Sequence, residues 1–520
     1  MSDTPAETVR RRELLGRAAA AAAALAAGTP GAVRAQVAGS KSAQAPAGDR
    51  PNIVLILSDD HRYDFMGCVP TCPQFLETPH MDRMARQGAR LANAFVSTSL
   101  CSPSRASILT GQYMHHHKVV DNQRPEPEGI VFFPQYLRQA GYQTAFVGKW
   151  HMGHDSDEAR PGFDHWASFK GQGTYADPLI NVDGQRKQFK GATTDILTDL
   201  ALEWMDKGRD KSKPFFLELS HKAVHYPFEP IPRHKGRYRD KPVRRPETMA
   251  NTERNYRTQP RWVRDRRFGI HGVDHMETGQ LDHDPVPDFD ALYRSFCETV
   301  HGLDENVGRV LKYIDDAGLA RSTVVLYMGD NGFELGEHGF YDKRDAFEHS
   351  IRVPMLVYAP GRIKEGAVVP QMVQNIDVAA TLLEAAGVKA PASAKFDGRS
   401  FWPLLTPAGP LSGGKQVPWR DHILYEYHWE WNFPATPTLF AIRTDRYKYV
   451  YHHGIWDLDC LYDLENDPVE RHNLIEVPAF RELAERLRTQ LFEELGKSGA
   501  LDIPVRTPAG ERLDQRKIER

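Results

Sequence analysis

Four continuous apolar runs of strand length, each stopping abruptly at a polar cluster, constrain this chain more than any other feature. Residues 52–58 (Asn-Ile-Val-Leu-Ile-Leu-Ser) end at Asp59-Asp60. Residues 143–147 lead into Gly148-Lys149-Trp150-His151. Residues 214–219 precede His221 and His225, and residues 322–328 precede Gly329-Asp330-Asn331-Gly332. A strand apolar along its whole length suits a parallel sheet covered on both faces, whereas a half-solvated strand alternates. Ligands of open α/β sheets bind beyond the carboxyl ends of the strands. The four polar clusters are therefore expected to share one rim.

Helices are expected between the strands. Leu292, Phe296, Val300, Leu303, Val307, Val310, Leu311 and Ile314 recur at spacings of three and four, the stripe of a helix packed on a sheet. Asp377 is placed to cap a helix over 378–383 that Gly387 would end. Residues 230–290 break the pattern as a polar, Arg- and Pro-rich insertion, functional or disordered. Its Arg244, Arg245, Arg261, Arg264, Arg266 and Arg267 either meet an anionic glycan or form a solvated face. Strand patterns at 422–427, 439–443 and 447–451, a turn at Asp445-Arg446 and a helix from about 479 to 495 predict a smaller α+β unit with an antiparallel sheet. The fold class is thus α/β: a mixed, mostly parallel sheet flanked by helices over 51–405, with a C-terminal subdomain over 406–520.

Ordinary globular composition over 520 residues, 41% hydrophobic and 26% charged, allows one large domain and one smaller one. A net charge of −3 gives no pull toward nucleic acid or acidic membranes. Five cysteines are too few for a disulfide scaffold; Cys68 and Cys72 are close enough to pair, which the sequence leaves open. Arg11-Arg12-Glu13-Leu14-Leu15-Gly16, an Ala-rich stretch and Val33-Arg34-Ala35 have the order of a twin-arginine signal over 1–35. Residues 36–50 continue as a flexible leader. That signal predicts a folded protein carried by the twin-arginine machinery to the periplasm or beyond, with no stable membrane anchor.

Chemistry-bearing residues cluster around these strand ends. Asp59, Asp60, Asp330 and Asn331 are hard oxygen donors, which suit Ca²⁺ or Mg²⁺ rather than zinc. Arg105, Lys149 and Lys343 are cations that an anionic substrate would need around it. His151 and His225 can exchange protons near neutral pH, and His338 is a candidate to line the site. Adjacent helical side chains diverge, so His115-His116-His117 read as a pocket rim rather than a metal site.

Cys101-Ser102-Pro103-Ser104-Arg105, continuing to Gly111, resembles the signature of the type I formylglycine-dependent sulfatases of the alkaline-phosphatase-like superfamily. Gly148-Lys149-Trp150-His151-Met152-Gly153 resembles their second signature, and Asn466-Asp467-Pro468-Val469-Glu470 with Asn473-Leu474 their C-terminal one. The resemblance implies that a formylglycine-generating enzyme oxidises Cys101 to an aldehyde. It implies a divalent cation, Ca²⁺ ahead of Mg²⁺, held by Asp59, Asp60, residue 101, Asp330 and Asn331. One hydroxyl of the hydrated aldehyde would attack sulfur, and loss of a proton from the other would expel sulfate, splitting one hard step into two. Arg105 would steady residue 101, Lys149 and Lys343 would grip sulfate, His151 would take the proton and His225 would protonate the leaving oxygen. Residues 342–348, with Lys343 in Asp342-Lys343-Arg344, and residues 116–122 look like the N-acetylglucosamine-6-sulfatase branch, implying a sulfated sugar or glycan as substrate. A phosphonate or phosphate monoester hydrolase, or a secreted glycan-binding protein with Cys101 unmodified, remain alternatives.

Overall fold

The computed structural model describes residues 50–278, 288–406, 418–503, 506–510 and 512; the signal and leader lie outside the described residues. A ten-stranded sheet forms the larger unit, built from β1 (Asn52–Ser58), β2 (Ala89–Phe95), β3 (Gln143–Lys149), β4 (His165–Phe169), β5 (Leu179–Val182), β6 (Gln185–Gln188), β7 (Phe215–Ser220), β8 (Thr323–Gly329), β9 (Met355–Tyr358) and β10 (Ala367–Gln374). Their spatial order is β10-β2-β9-β8-β1-β7-β3-β4-β5-β6. The four runs singled out in the sequence are the adjacent central strands β8-β1-β7-β3, all parallel. Register then aligns their ends. Ser58 sits opposite Gly329, Leu57 opposite Ser220, and Gly148 opposite Ser220. Every polar cluster therefore leaves the sheet at nearly the same level.

The continuous hydrophobicity of β1 has a simple cause. Ile53, Leu55 and Leu57 enter the core on one face, while Val54 and Ile56 enter the core on the other. The helix Phe289–Asp316 covers the second face with Phe296, Val300, Leu303, Val307 and Val310, and Asp288 caps it by accepting from the Asp290 N–H at 2.9 Å. The first face is covered by the helices Cys101–Thr110 and Asp377–Ala385. Asp377 is not the cap the sequence suggested. It occupies the first helical turn, and its carboxylate instead accepts from the backbone N–H groups of Gln374 and Arg399 and pairs with Arg420. Gly387, left-handed at φ 62°, closes that helix as expected.

The outer strands escaped the sequence reading. β9 runs antiparallel to β8 and β2, and β5 and β6 form an antiparallel ribbon at the far edge. β6 is exposed at every residue, so it carries no hydrophobic period to detect. Cys68 and Cys72, whose pairing was open, are free thiols.

The smaller sheet is antiparallel: β11 (His422–Tyr427), β12 (Thr438–Thr444), β13 (Tyr447–His453) and a fourth strand beyond the three expected, β14 (Cys460–Asp463). The helix Arg481–Ser498 packs on it through Leu483, Leu487, Leu491 and Leu495. A buried ion network joins it to the larger unit. Lys448, fully buried on β13, reaches Glu348 at 3.1 Å, Glu470 at 2.8 Å and the Ala346 carbonyl at 2.5 Å. Arg443 grips Glu348 through two nitrogens at 3.2 and 3.1 Å.

Removing one partner of a buried ion pair leaves an uncompensated charge and costs about 3–5 kcal/mol. Lys448→Ala is therefore expected to lower the unfolding free energy by roughly 3 kcal/mol, Arg443 retaining part of Glu348's pairing. A chemical-denaturation midpoint equal to wild type would show that the network does not hold the two units together.

Candidate active site

The rim is assembled by the segments just beyond each central strand. After β1 the chain turns sharply at Asp60, left-handed at φ 57°, a conformation Asp tolerates better than most residues. The turn is pinned on both sides: the Asp59 N–H donates to the Ala223 carbonyl, and the Asp60 N–H to Asp330 Oδ1 at 3.1 Å. Cys101 is the first residue of its helix, whose cap Leu100 is extended, so the thiol emerges where backbone N–H groups are unpaired within the helix. Lys149 is the last residue of β3, and Lys343 comes from the loop between β8 and β9.

The residues read in the sequence as catalytic or metal-binding come together here. Lys343 Nζ lies 3.0 Å from Cys101 Sγ and also contacts Asp60 Oδ1. Cys101 Sγ donates to Asp59 Oδ1 at 3.3 Å, and Lys149 Nζ contacts Asp59 Oδ2. Arg105 clamps Asp330 Oδ2 at 2.9 and 2.8 Å and binds the Lys149 carbonyl and Ser220 Oγ at 2.8 and 2.6 Å. Asn331 Nδ2 donates to Asp60 Oδ1 at 2.6 Å. The imidazole of His225 donates from Nδ1 to the Tyr226 carbonyl, which turns Nε2 toward Asp60 Oδ2 at 3.9 Å. His151, buried and left-handed at φ 54°, has no hydrogen-bond partner for either ring nitrogen among the described residues.

Burial and mutual charge set the protonation states. Burial alone would raise Asp59, but Lys149, His225, Arg105 and Lys343 hold its carboxyl well below the usual range. Asp60 is raised by burial and by the charge of Asp59, against the pull of Lys343. Asp330 is pushed up to about 7 by burial and Asp59. Burial drives His151 and His225 well below the usual imidazole value, so both rings are neutral at neutral pH. The thiol of Cys101 is pushed up to about 12 by burial and Asp59, which leaves an unmodified Cys101 protonated and a poor nucleophile.

The donor set fits a hard divalent cation. Ligand atoms of Asp59, Asp60 and Asp330 lie within 4.8 Å of one another. Asp60 Oδ2 and Asn331 Oδ1 are buried and accept no hydrogen bond from the described residues, a costly state for an oxygen unless a cation or water meets it.

Several sequence readings need correction. His338 does not line the pocket; it is buried behind it, stacked on Phe347 with centroids 3.7 Å apart. The three histidines do diverge, but they form no rim: His115 pairs with Glu426 and His116 with Asp397, while His117 bonds Ser107 Oγ. Of the insertion's arginines, two are neither solvated nor turned outward. Arg266 is buried against Asp342 and Asp345 and donates to the Lys343 carbonyl at 2.8 Å, and Arg267 grips Asp274. The insertion therefore braces the loop that carries Lys343; residues 279–287 lie outside the described residues. The sequence reading also missed Gln172, which accepts from Lys149 at 2.5 Å, and Ser220, which receives Arg105. Ser220 ends β7 and was legible as a strand-end residue, whereas Gln172 had no sequence signal.

A pocket of about 280 Å³ opens above this cluster, lined by Asp60, Lys343, His225, Asp342, Arg344 and Asn122 among others.

Comparison with known proteins agrees with this geometry. The sulfatase family profile matches residues 51–388, and a profile for the C-terminal region of N-sulphoglucosamine sulphohydrolase matches residues 336–497. An N-acetylglucosamine-6-O-sulfatase from Bacteroides thetaiotaomicron is 32% identical over 499 residues, covering 86% of each chain. The N-acetylglucosamine-6-sulfatase of Homo sapiens is 28% identical, covering 82% of this chain and 80% of its own. A solved structure of a protein in complex with its substrate D-glucosamine-2-N,6-O-disulfate superposes with a TM-score of 0.77 at 29% identity, over 87% of this chain and 99% of the other.

Glu218, buried on β7 behind Arg105, offers a pH test of the rim's electrostatics. Burial raises its carboxyl to about 8, opposed by Arg105. A folded pKa above the unfolded value means that the folded state binds the proton more tightly. The resulting stability is complete below about pH 4.5 and is lost as pH rises through about 8. Glu218→Gln, which keeps the shape without the charge, is expected to gain stability over wild type between pH 5 and 8, by roughly 3–5 kcal/mol. A constant difference across that range would rule out a buried, protonated Glu218.

Proposed function

The chain belongs to the sulfatase family and is a sulfuric ester hydrolase, and from that premise we propose that it removes sulfate from a sulfated sugar, at O6 of an N-acetylglucosamine unit, using a formylglycine made from Cys101. One observation carries the proposal. Three cations and three carboxylates converge on a single buried cysteine at the ends of four parallel strands, with the Lys343 ammonium 3.0 Å from its sulfur. The names of the relatives supply the sugar: they are N-acetylglucosamine-6-sulfatases.

Hydrated formylglycine at position 101 supplies an oxygen nucleophile where the neutral thiol supplies none. A divalent cation, Ca²⁺ ahead of Mg²⁺, would be held by Asp59, Asp60, Asp330, Asn331 and residue 101, and when bound it draws charge from the sulfate oxygens. The rest is done by this chain's own groups. Lys149 and Lys343 neutralise the ester's negative charge in a buried site, where each such contact is stronger than in water. Arg105 fixes the carboxylates that shape the floor. His151, neutral and with neither ring nitrogen partnered among the described residues, is set to accept a proton from the residue-101 side chain. His225 has its Nδ1 proton committed to the Tyr226 carbonyl, so it can donate only as imidazolium from Nε2. An arriving sulfate ester adds negative charge beside it and raises its affinity for that proton. We further propose that the enzyme is exported by the twin-arginine route; among the described residues no helix is long and apolar enough to cross a membrane.

A mass spectrum of the tryptic peptide 91–105 from protein made in its own host is expected to show a carbonyl in place of the Cys101 thiol. Cys101→Ala is expected to retain the fold and lose at least 10³-fold in kcat/KM on 6-O-sulfated N-acetylglucosamine, about 4 kcal/mol of transition-state stabilisation. Sulfate release by that variant at the parental rate would overturn the mechanism. Phenyl esters of sulfate, phosphate and phosphonate, compared side by side, are expected to rank sulfate first; a phosphonate preference would move the enzyme to the neighbouring phosphonate hydrolase activity. Chelation is expected to abolish turnover and lower the thermal midpoint, with Ca²⁺ restoring both. Indifference of both readouts would remove the cation.

A further inference from the structure

A second group of metal-type donors lies apart from the rim. Glu334 and Glu337 sit in the loop that runs from Asn331 to Lys343, and His349 belongs to the short helix Glu348–Ile351 just beyond it. Ligand atoms of the three lie within 4.8 Å of one another, and none of the rim's own ligands belongs to the group. Glu334 is the anomaly. It is fully buried, yet neither of its carboxylate oxygens has a partner among the described residues. Bare buried oxygens are costly unless a proton, a cation or water meets them. The cation beside the group is already committed, since Arg62 holds Asp64 and Glu337 at 2.8 Å each.

A proton does not resolve the arrangement. Burial, Asp345 and Glu337 raise the Glu334 carboxyl well above the usual range, against the pull of Arg62. A protonated carboxyl would still need an acceptor, and His349 Nδ1 stands 3.8 Å from Oε2, beyond hydrogen-bond reach. That nitrogen is itself buried and unpartnered among the described residues, and burial lowers the ring's pKa, so its lone pair is available. Stacking on Tyr63, with centroids 6.3 Å apart, fixes the ring's plane. Ligand atoms each about 2.1 Å from one ion stand roughly 3–4 Å from each other, so 3.8 Å is a spacing that an ion spans. Two oxygens of Glu334, one of Glu337 and the imidazole make four donors. Glu337 can serve while keeping its bonds from Arg62 and the Leu335 N–H, because a carboxylate oxygen has lone pairs to spare. A mixed nitrogen and oxygen set suits a first-row ion rather than Ca²⁺.

We propose that Glu334, Glu337 and His349 form an enclosed structural site for a first-row divalent cation, Zn²⁺ ahead of Mn²⁺, separate from the cation of the rim. Structural sites of this kind are closed and are filled as the chain folds. Its place in the fold says what the ion does. The Glu334 N–H donates to the Asp342 carbonyl at 2.6 Å and the Phe333 N–H to the His349 carbonyl at 2.9 Å, so an ion here would clamp both ends of the loop that presents Lys343. The inference stands whatever ester the enzyme cleaves.

Elemental analysis of the enzyme from its own host, after chelation and desalting, tests it. About one first-row ion per chain is expected to survive, because the site is enclosed. Its X-ray absorption is expected to show nitrogen and oxygen neighbours at about 2.1 Å and no sulfur. Glu334→Gln, and independently His349→Ala, is expected to lose the ion, whereas Asp330→Asn, which alters the rim, is expected to keep it. Where Glu334→Gln fails to fold, His349→Ala, which keeps both carboxylates, decides. A wild-type content far below one per chain, a content unchanged in both variants, loss of the ion in Asp330→Asn, or a sulfur neighbour placing the ion at Cys101 would each overturn the site.

Discussion

Three aspartates and three cations buried together around one cysteine are the constraint on which the rest of the molecule depends. Asp59, Asp60 and Asp330 could not stay in a dry site as free carboxylates. Each is met by Lys149, Lys343 or Arg105 at contact distance. The balance is uneven in a useful way: Asp59 is held ionised, whereas Asp60 and Asp330 are pushed toward the proton. Such a cluster is tense toward its surroundings. Asp60 Oδ2 and Asn331 Oδ1, unpartnered among the described residues, are where the proposed cation would be met, and the ammonium groups of Lys149 and Lys343 are where the proposed sulfate would be.

Holding these charges in place falls to the scaffold. β1 contributes Asp59 and Asp60 from a strand buried on both sides, so neither can drift without moving the sheet. Lys343 has no strand of its own. Its loop is braced by Arg266 from the insertion, and the segment just after it is tied down by Lys448 and Arg443 from the smaller sheet through Glu348. A region with little sequence periodicity and a separate C-terminal unit thereby both serve the position of one ammonium group.

The same C-terminal unit reaches over the mouth of the site. The loop after β11 carries His428 to Asn432, and Asn432 lines the pocket.

Much of this was legible in the chain itself. The four apolar runs announced the central strands, because a strand buried on both faces has no polar alternation to hide it. The strand-end rule brought Asp59, Lys149, His225 and Asp330 to one rim, and the Cys101 motif named the family by resemblance. β6 is wholly polar and went unread, although Asp183-Gly184, both at positive φ, form the two-residue turn that pairs it with β5. Other features arose from contacts that no local pattern records. Arg266 was indistinguishable in sequence from its exposed neighbours until Asp342 and Asp345 met it. His338 and the His115–117 run looked available but were claimed by Phe347, Glu426, Asp397 and Ser107. The sequence by itself determined which groups could do the chemistry, because residue type and strand period are local properties. Only the tertiary structure decided which of them are free to do it, because burial and partnership depend on contacts that residue type and strand period do not record.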